Sequence, residues 1–339
     1  MRAVNGWRRA GGLLILVMVL LPDTAAAQPS GRVHRIGLLV EAAPIANVTG
    51  ATPKAESIRA LQDRLRELGY VYGTTLIMEV RSAEGLLDQL PKLAAELVAA
   101  NLDVIVATGN RGTEAAMRAT KTIPIVMAGA SDPVGSGLVA SLARPGGNVT
   151  GLSFDPGGDI AGKRVELLRQ LVPRLNRLAY IVNAPQWMER PMGKAVIASA
   201  KAFGVTLLPF VVSTLHDLNQ TSDRLTHDRV DALLVEQYPL VYNHRQEFVQ
   251  LAMDRRLPAM YGHREVVELG GLIAYANDFN AIYRRAAEYV DTILRGTKPS
   301  ALPVEQAATF DLAVNLKTAR ALRLAVPPVV LARATRVVE

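Results

Sequence analysis

Cysteine is absent from all 339 residues. No disulfide can brace the fold and no thiol can carry a lipid, so stability must come from core burial. Aromatic residues are scarce, at 5%, and Lys and Arg form no dense run; Arg59, Arg64 and Arg66, for example, are spread over a helix-like stretch. A nucleic-acid surface gathers basic residues into a stripe interleaved with aromatics, and nothing of that kind is present. The five histidines (34, 216, 227, 244 and 263) lack the H-E-x-x-H spacing and have no thiol partners, which argues against zinc. No G-x-S-x-G elbow occurs, because Gly151-Leu152-Ser153-Phe154-Asp155 fails at the second glycine. Gly157 to Arg164 nearly spells a P-loop, but Arg164 stands where the Mg²⁺-holding hydroxyl belongs. Lys163 and Arg164 are therefore read as residues of a solvated helix face. The pattern predicts no metal, no cofactor and no obvious reactive centre.

What is present begins with a targeting segment. Arg2, Arg8 and Arg9 precede an apolar run, Gly11–Leu21, which is shorter than the ~20 residues of a membrane span. Ala25-Ala26-Ala27 then offers a small-residue cleavage site before Gln28. Residues 1–27 read as a signal peptide cut after Ala27, which makes the protein periplasmic. Its removal takes three Arg and one Asp and lowers the net charge from +7 to +5. The remaining ~310 residues exceed what one core usually serves, so two domains are expected.

From Val33 onward, strand and helix patterns alternate over short connections, the signature of parallel sheets covered by helices on both faces. The fold class is α/β, with two doubly wound lobes and a hinge. The central stretch, Leu102 to Gly151, holds two copies of one device: apolar runs (Val104–Val106, Ile123–Met127) end in small residues and lead into helix-like patterns, Gly112–Thr120 and Ser136–Ala143. Helix N-termini after such turns present unpaired N–H groups at the carboxyl edge of a sheet. Leu86–Ala100, Met188–Phe203 and Leu240–Arg255 read as further helices, Pro91 requiring a kink or a restart. The breaker-rich Arg144–Gly151 reads as the crossover to a second lobe, and Gly270-Gly271 as the return. These marks divide the chain into lobe 1 (33–150 plus about 272–300), lobe 2 (151–271) and a C-terminal segment, 301–339, belonging to either.

DVIVATG, IPIVMAGASDPVGSGLVASLARPGGNVTGLS and AGKRVELLRQLVP resemble the substrate-binding component of bacterial ABC transporters, the tryptophan/tyrosine-type uptake branch with a type I periplasmic binding protein fold. The resemblance runs from about Arg35 to the C-terminus. It implies a monomer that captures a small, amino-acid-like ligand between its lobes and delivers it to an ABC permease, without catalysis. The alternatives are an exported α/β enzyme using Asp132 and Glu236 as acid and base, and a ligand-sensing subunit of a membrane receptor.

Candidate ligand contacts are the residues at strand ends. In the first lobe they are Glu41, Ala42, Thr108, Gly109, Asn110, Ala130, Ser131 and Asp132; in the second, Asn183, Pro185, Glu236, Gln237, Tyr238, Tyr261, Gly262 and Tyr275. Helix N-termini after Thr108 and Ser131 suit a ligand carboxylate. Asp132 or Glu236 suits an ammonium, and Tyr238, Tyr261 or Tyr275 an aromatic wall. Each also has an ordinary reading: Thr108, Asn110 and Asp132 as caps or turn residues, the tyrosines as half-buried packing. His263 lies at a predicted strand end, where a cap or surface role is the commoner fate.

Overall fold

A computed structural model describes residues 32–154, 159–307 and 309–339. The expected signal peptide, its cut after Ala27, and Gly157-Gly158 of the P-loop-like run all lie outside the described residues. Among the described residues, thirteen strands form two sheets. The first contains β1 (His34–Val40), β2 (Leu76–Ser82), β3 (Val104–Thr108), β4 (Ile125–Ala130), β5 (Val149–Ser153) and β11 (Glu305–Gln306). The second contains β6 (Arg177–Val182), β7 (Thr206–Val211), β8 (Ala232–Val235), β9 (Ala259–Tyr261), β10 (Ile273–Asn277), β12 (Phe310–Asn315) and β13 (Arg336–Val338). Spatial order is 11-5-4-3-1-2 in the first and 13-12-10-9-8-6-7 in the second. All pairings are parallel except β10 with β12.

The central strands VIVAT, RLAYIV and ALLV are apolar runs with almost no alternation, as strands buried on both faces must be. Helix Glu56–Glu67 buries Ile58, Leu61 and Leu65 on one stripe against the first sheet. Helix Leu215–His227 begins at a capping box in which the Thr214 side chain accepts from Asp217 N–H and Asp217 accepts from Thr214 N–H.

Proline and glycine shorten several expected helices. Leu86–Ala100 becomes a short 3₁₀ turn followed by helix Leu90–Val98, with Pro91 in its first turn where no N–H is missed. Met188–Phe203 restarts at Pro191, and Leu240–Arg255 breaks at His244 into Pro239–Asn243 and Arg245–Asp254. Ser136–Ala143 is not a helix at all: Gly135 and Gly137 favour turns, and Leu138 and Val139 N–H groups both reach back to Pro133 O.

The chain crosses between sheets three times. It leaves the first sheet after β5 rather than within Arg144–Gly151, returns after β10, and leaves again after β11. Strand Leu272–Tyr275, expected in lobe 1, therefore pairs in the second sheet as β10, while helix Phe279–Leu294 packs on helix Glu56–Glu67 over the first. The tail joins the second sheet through β12 and β13. Although they carry two sheets, Val33–Glu339 form one compact unit.

Candidate functional site

Glu41 follows β1 at the carboxyl edge of the first sheet. Its Oε1 accepts the Gly112 N–H at 2.8 Å, and its own N–H donates to Thr108 Oγ1 at 3.0 Å. The carboxyl group thus lies on the first turn of helix Gly109–Ala119. A Cβ at Gly109 would stand 2.4 Å from it, and φ is +64° there, so glycine is required twice over. The N-terminus expected to receive a ligand carboxylate already holds the protein's own. Burial outweighs the Gly112 and Arg111 amides and the Arg111 charge, and Glu41 is pushed up to about 6.

The neighbouring turn is also internally tied. Asn110 Nδ2 donates to Ser131 O at 2.6 Å and to Ser136 Oγ at 2.8 Å, and Asn110 Oδ1 accepts the Ser131 N–H at 2.8 Å. Asp132, at φ +41°, accepts the Gly135 N–H at 2.9 Å, closing its own turn. Ala42 is half-buried beside Glu41, and Ala130 is fully buried at the end of β4. Between Ala128 and Ala130 the β4–β5 register shifts, and Gly129 (φ +81°) fills the irregularity. The Phe154 and Phe279 rings close over it, 5.8 Å apart and edge to face. Each phenylalanine sits where the chain passes between sheets.

In the second lobe the expected carboxylate is differently engaged. Glu236 follows β8 and pairs with Arg164 Nη1 at 3.0 and 3.2 Å, with side chains only 3% and 2% exposed. Arg164 Nε donates to Tyr275 O at 2.8 Å. Glu236 also faces Tyr180, whose hydroxyl accepts the Trp187 Nε1–H at 2.9 Å. Arg164 is thus a core residue, not part of a solvated helix face, and Glu236 cannot serve as acid, base or ammonium acceptor. Gly262 packs beneath this pair: a Cβ there would lie 3.0 Å from Gln237 Cβ and 3.1 Å from Arg164 Nη2. Tyr238 and Tyr261 are core residues, Tyr238 donating to Val212 O at 2.9 Å. Tyr275 stacks on Phe310, their centroids 5.4 Å apart. Asn183 O accepts from Ser213 Oγ, and Pro185 is an exposed residue opening a 3₁₀ turn. Tyr238 and Tyr261 are thus packed in the core rather than set out as a wall, and Tyr275 is half-buried.

Of the second-lobe candidates, Gln237 leads to the cleft. Its Nε2 lies 3.4 Å from His263 Nδ1. His263 is 8% exposed, and its Nε2 has no hydrogen-bond partner among the described residues. Burial first, then the charges of Arg245 and Arg164, holds it down at about 3. The imidazole is neutral; with Nδ1 accepting from Gln237, the proton sits on Nε2, an orphaned donor. Asn277, 3% exposed at the end of β10, has an orphaned Oδ1. Both residues line a small pocket with Arg264, Glu265, Ala276, Phe279 and Asn280.

Three contacts join the lobes around this pocket. Arg264 pairs with Glu56 across the gap and with Asp311 at 3.1 Å on its own side. Asn243 Nδ2 donates to Glu84 O at 3.2 Å. Tyr242, 5.5 Å from the His263 ring, packs on the first-lobe core, where it and Glu41 both help burial raise the Tyr283 pKa. Sequence reasoning did not single out Phe154, one residue past β5, Phe279, the first residue of its helix, Tyr242, inside the short helix Pro239–Asn243, or Asn277, the last residue of β10. A buried polar residue closing an apolar strand, IAYAN, was the signal available for Asn277.

Among the described residues no helix is long and apolar enough to cross a membrane, and no group of His, Asp and Glu could hold a metal ion. Comparison with known proteins agrees with this geometry. A tyrosine-binding protein of Clostridioides difficile (strain R20291) is 27% identical over 265 residues, 78% of this chain and 74% of that protein. A conserved domain protein from Vibrio cholerae superposes with a TM-score of 0.79 at 27% identity, covering 90% of this chain and 100% of that one. An ABC domain from Streptococcus pneumonia in complex with L-Trp gives 0.79 at 26% identity, covering 90% and 99%. Two α/β lobes joined by three crossings are the type I periplasmic binding protein architecture. Residues 48–338 match the family described as ABC transporter substrate binding protein. The chain belongs to that family, and is a binding protein rather than an enzyme.

Proposed function

We propose that this protein is the extracytoplasmic solute-binding component of an ABC importer, capturing an amino acid with an aromatic side chain and delivering it to a permease. The observation that carries the reading is the pair of orphaned polar atoms, His263 Nε2 and Asn277 Oδ1, buried between the lobes beside Phe279. A buried donor and acceptor left unpaired cost roughly 1–3 kcal/mol each, a penalty that a bound ligand removes. Phe154, Phe279 and Tyr242 supply the apolar surround that an aromatic side chain needs. The relatives described as binding tyrosine and L-Trp support the ligand class.

Capture is a hinge motion. Asp278, between β10 and helix Phe279–Leu294, is one of the segments joining the sheets. Opening about it would break the Arg264–Glu56 pair and withdraw Tyr242, and a ligand touching both lobes favours the closed form. The closed monomer then docks on the permease. The expected signal peptide supports a periplasmic setting for this cycle.

A thermal-shift screen of ligand-stripped protein against amino acids, peptides, sugars and aromatic acids tests the reading. A ligand at ~100 times its dissociation constant stabilises by about 2.7 kcal/mol, and tryptophan or tyrosine should do so. A panel in which only sugars or peptides raise the melting temperature would remove the amino-acid assignment.

A further inference from the structure

We infer that the pocket lined by His263 and Asn277 receives a hydroxyl group at the tip of the ligand's side chain, so that the site selects tyrosine over phenylalanine and tryptophan. This rests on the amino-acid reading above and specifies the side chain which that reading leaves open. The two relatives, one described as binding tyrosine and one in complex with L-Trp, do not choose between them.

The topology sets the two residues side by side. Strands β9 and β10 are parallel neighbours in which Tyr261 pairs with Ala274. His263, two residues past the end of β9, and Asn277, the last residue of β10, therefore emerge at the same carboxyl edge, where ligands of such sheets lie. Each side chain is more than nine-tenths buried, and both line the one pocket. They do not bond to each other, since His263 Nε2 and Asn277 Oδ1 both lack a partner among the described residues. The imidazole is fixed on its far side: Gln237 Nε2 lies 3.4 Å from Nδ1, and the Tyr242 ring lies 5.5 Å from the His263 ring.

The chemistry of the pair narrows what can enter. A neutral imidazole offers one N–H donor, and the Asn277 amide oxygen offers an acceptor. A carboxylate accepts from the first but opposes its lone pairs to the second. An ammonium or an indole N–H donates to Asn277 and leaves the His263 N–H unmet. A phenyl ring leaves both unmet. A hydroxyl donates once and accepts, so one oxygen serves both groups. A primary amide also does so, but through two polar atoms, whereas the pocket has room for a water-sized group. Charge gives no reason for an ion to enter either. Arg264, the cation in the lining, meets Glu56, Asp311 and the lining residue Glu265. Phe279 lines the same pocket and supplies an apolar surface for the ring that carries the hydroxyl.

Calorimetric titration of the ligand-stripped protein with tyrosine, phenylalanine, 4-fluorophenylalanine, O-methyltyrosine and tryptophan tests the assignment. Wild type should prefer tyrosine to phenylalanine by roughly 10- to 100-fold, because the analogue leaves both buried groups unpaired. Fluorine in place of the hydroxyl should restore none of that preference, and O-methyltyrosine, which cannot donate, should lose it. H263F and N277L should each bring the ratio of tyrosine to phenylalanine affinity down toward one; a purely structural loss would weaken both ligands alike and leave the ratio where it was. A wild type that binds phenylalanine or tryptophan as tightly as tyrosine overturns the hydroxyl assignment and leaves the amino-acid reading intact, the result expected of a pocket that holds only a water molecule. Folded H263F and N277L proteins that keep the full preference for tyrosine place the hydroxyl elsewhere and overturn the assignment too. A wild type that binds none of the five overturns the amino-acid reading itself. Should the variants fail to fold, the wild-type ratios decide alone.

Discussion

Two carboxylates, Glu41 and Glu236, occupy matching places in the two lobes, each one residue past the end of an apolar parallel strand. Their surroundings differ. Glu236 is sealed from water and meets a guanidinium at 3.0 Å. Glu41 is part-buried and meets backbone N–H groups, with no ion pair described for it. A buried charge without a counter-ion is costly, so a fold retains one where something else supplies the compensation. The Glu236 carboxylate is neutralised by a side chain, and the Glu41 carboxylate is held by the helix N-terminus beside it. Position at a strand end does not distinguish the two. The cation does.

The largest expected effect lies in the sealed pair. R164M leaves Glu236 buried and unpaired, and chemical denaturation should show a loss of about 3–5 kcal/mol. Replacing both residues, as in R164M/E236L, should recover most of it; a single variant as stable as wild type would mean the pair is not a core element. Next comes the orphaned donor. H263F keeps the ring volume but removes the N–H, and ligand affinity should drop by about 10- to 100-fold with the melting temperature of the ligand-free protein unchanged or raised. Equal affinity in titration would place the ligand elsewhere.

The third effect has a sign that separates Glu41 from the paired or capping carboxylates Glu67, Asp217 and Glu305. Burial raises its pKa from 4.5 to about 6, so between these values the native state holds a proton that the unfolded state has released. Stability falls as pH rises wherever the native state binds more protons. The ligand-free wild type should therefore lose stability relative to E41Q as pH rises through this window. Parallel pH profiles for the two proteins would remove Glu41 from the account. The smallest effect concerns the latch between lobes. E56Q removes a part-exposed ion pair worth a few tenths to about 1 kcal/mol. Ligand release measured by stopped flow should quicken about two- to five-fold, with equilibrium unfolding barely altered.

The pattern of buried parallel strands made the two α/β lobes and most strand positions legible in the sequence, because strands covered on both faces leave long apolar runs such as VIVAT and ALLV. Lobe membership was less legible. Nothing local in Ile273–Asn277 tells which sheet it joins, since that depends on partners far away in β9 and β12. The site was half legible. Glu41 and Gln237 are strand-end polar groups, and they meet the Gly112 N–H and the His263 ring. Tyr238 and Tyr261 share that description and are core, because side-chain direction past a strand end follows the turn, which is set by tertiary contacts. Arg164 shows the reverse failure: a charged helix residue reads as solvated unless its distant partner is known.

Three passages between sheets also shape how the molecule is made. The first-lobe sheet is covered by a helix from near the end of the chain, and Arg64 meets Glu288 across 224 positions. At roughly 5–20 residues per second of synthesis, about 10–45 s separate the two halves of that contact. The second lobe closes later still, when β12 and β13 arrive. Neither lobe can complete its sheet on a nascent chain. Folding therefore waits for the whole polypeptide, and a chain that stays open until its last strand is made remains threadable through a narrow secretion channel.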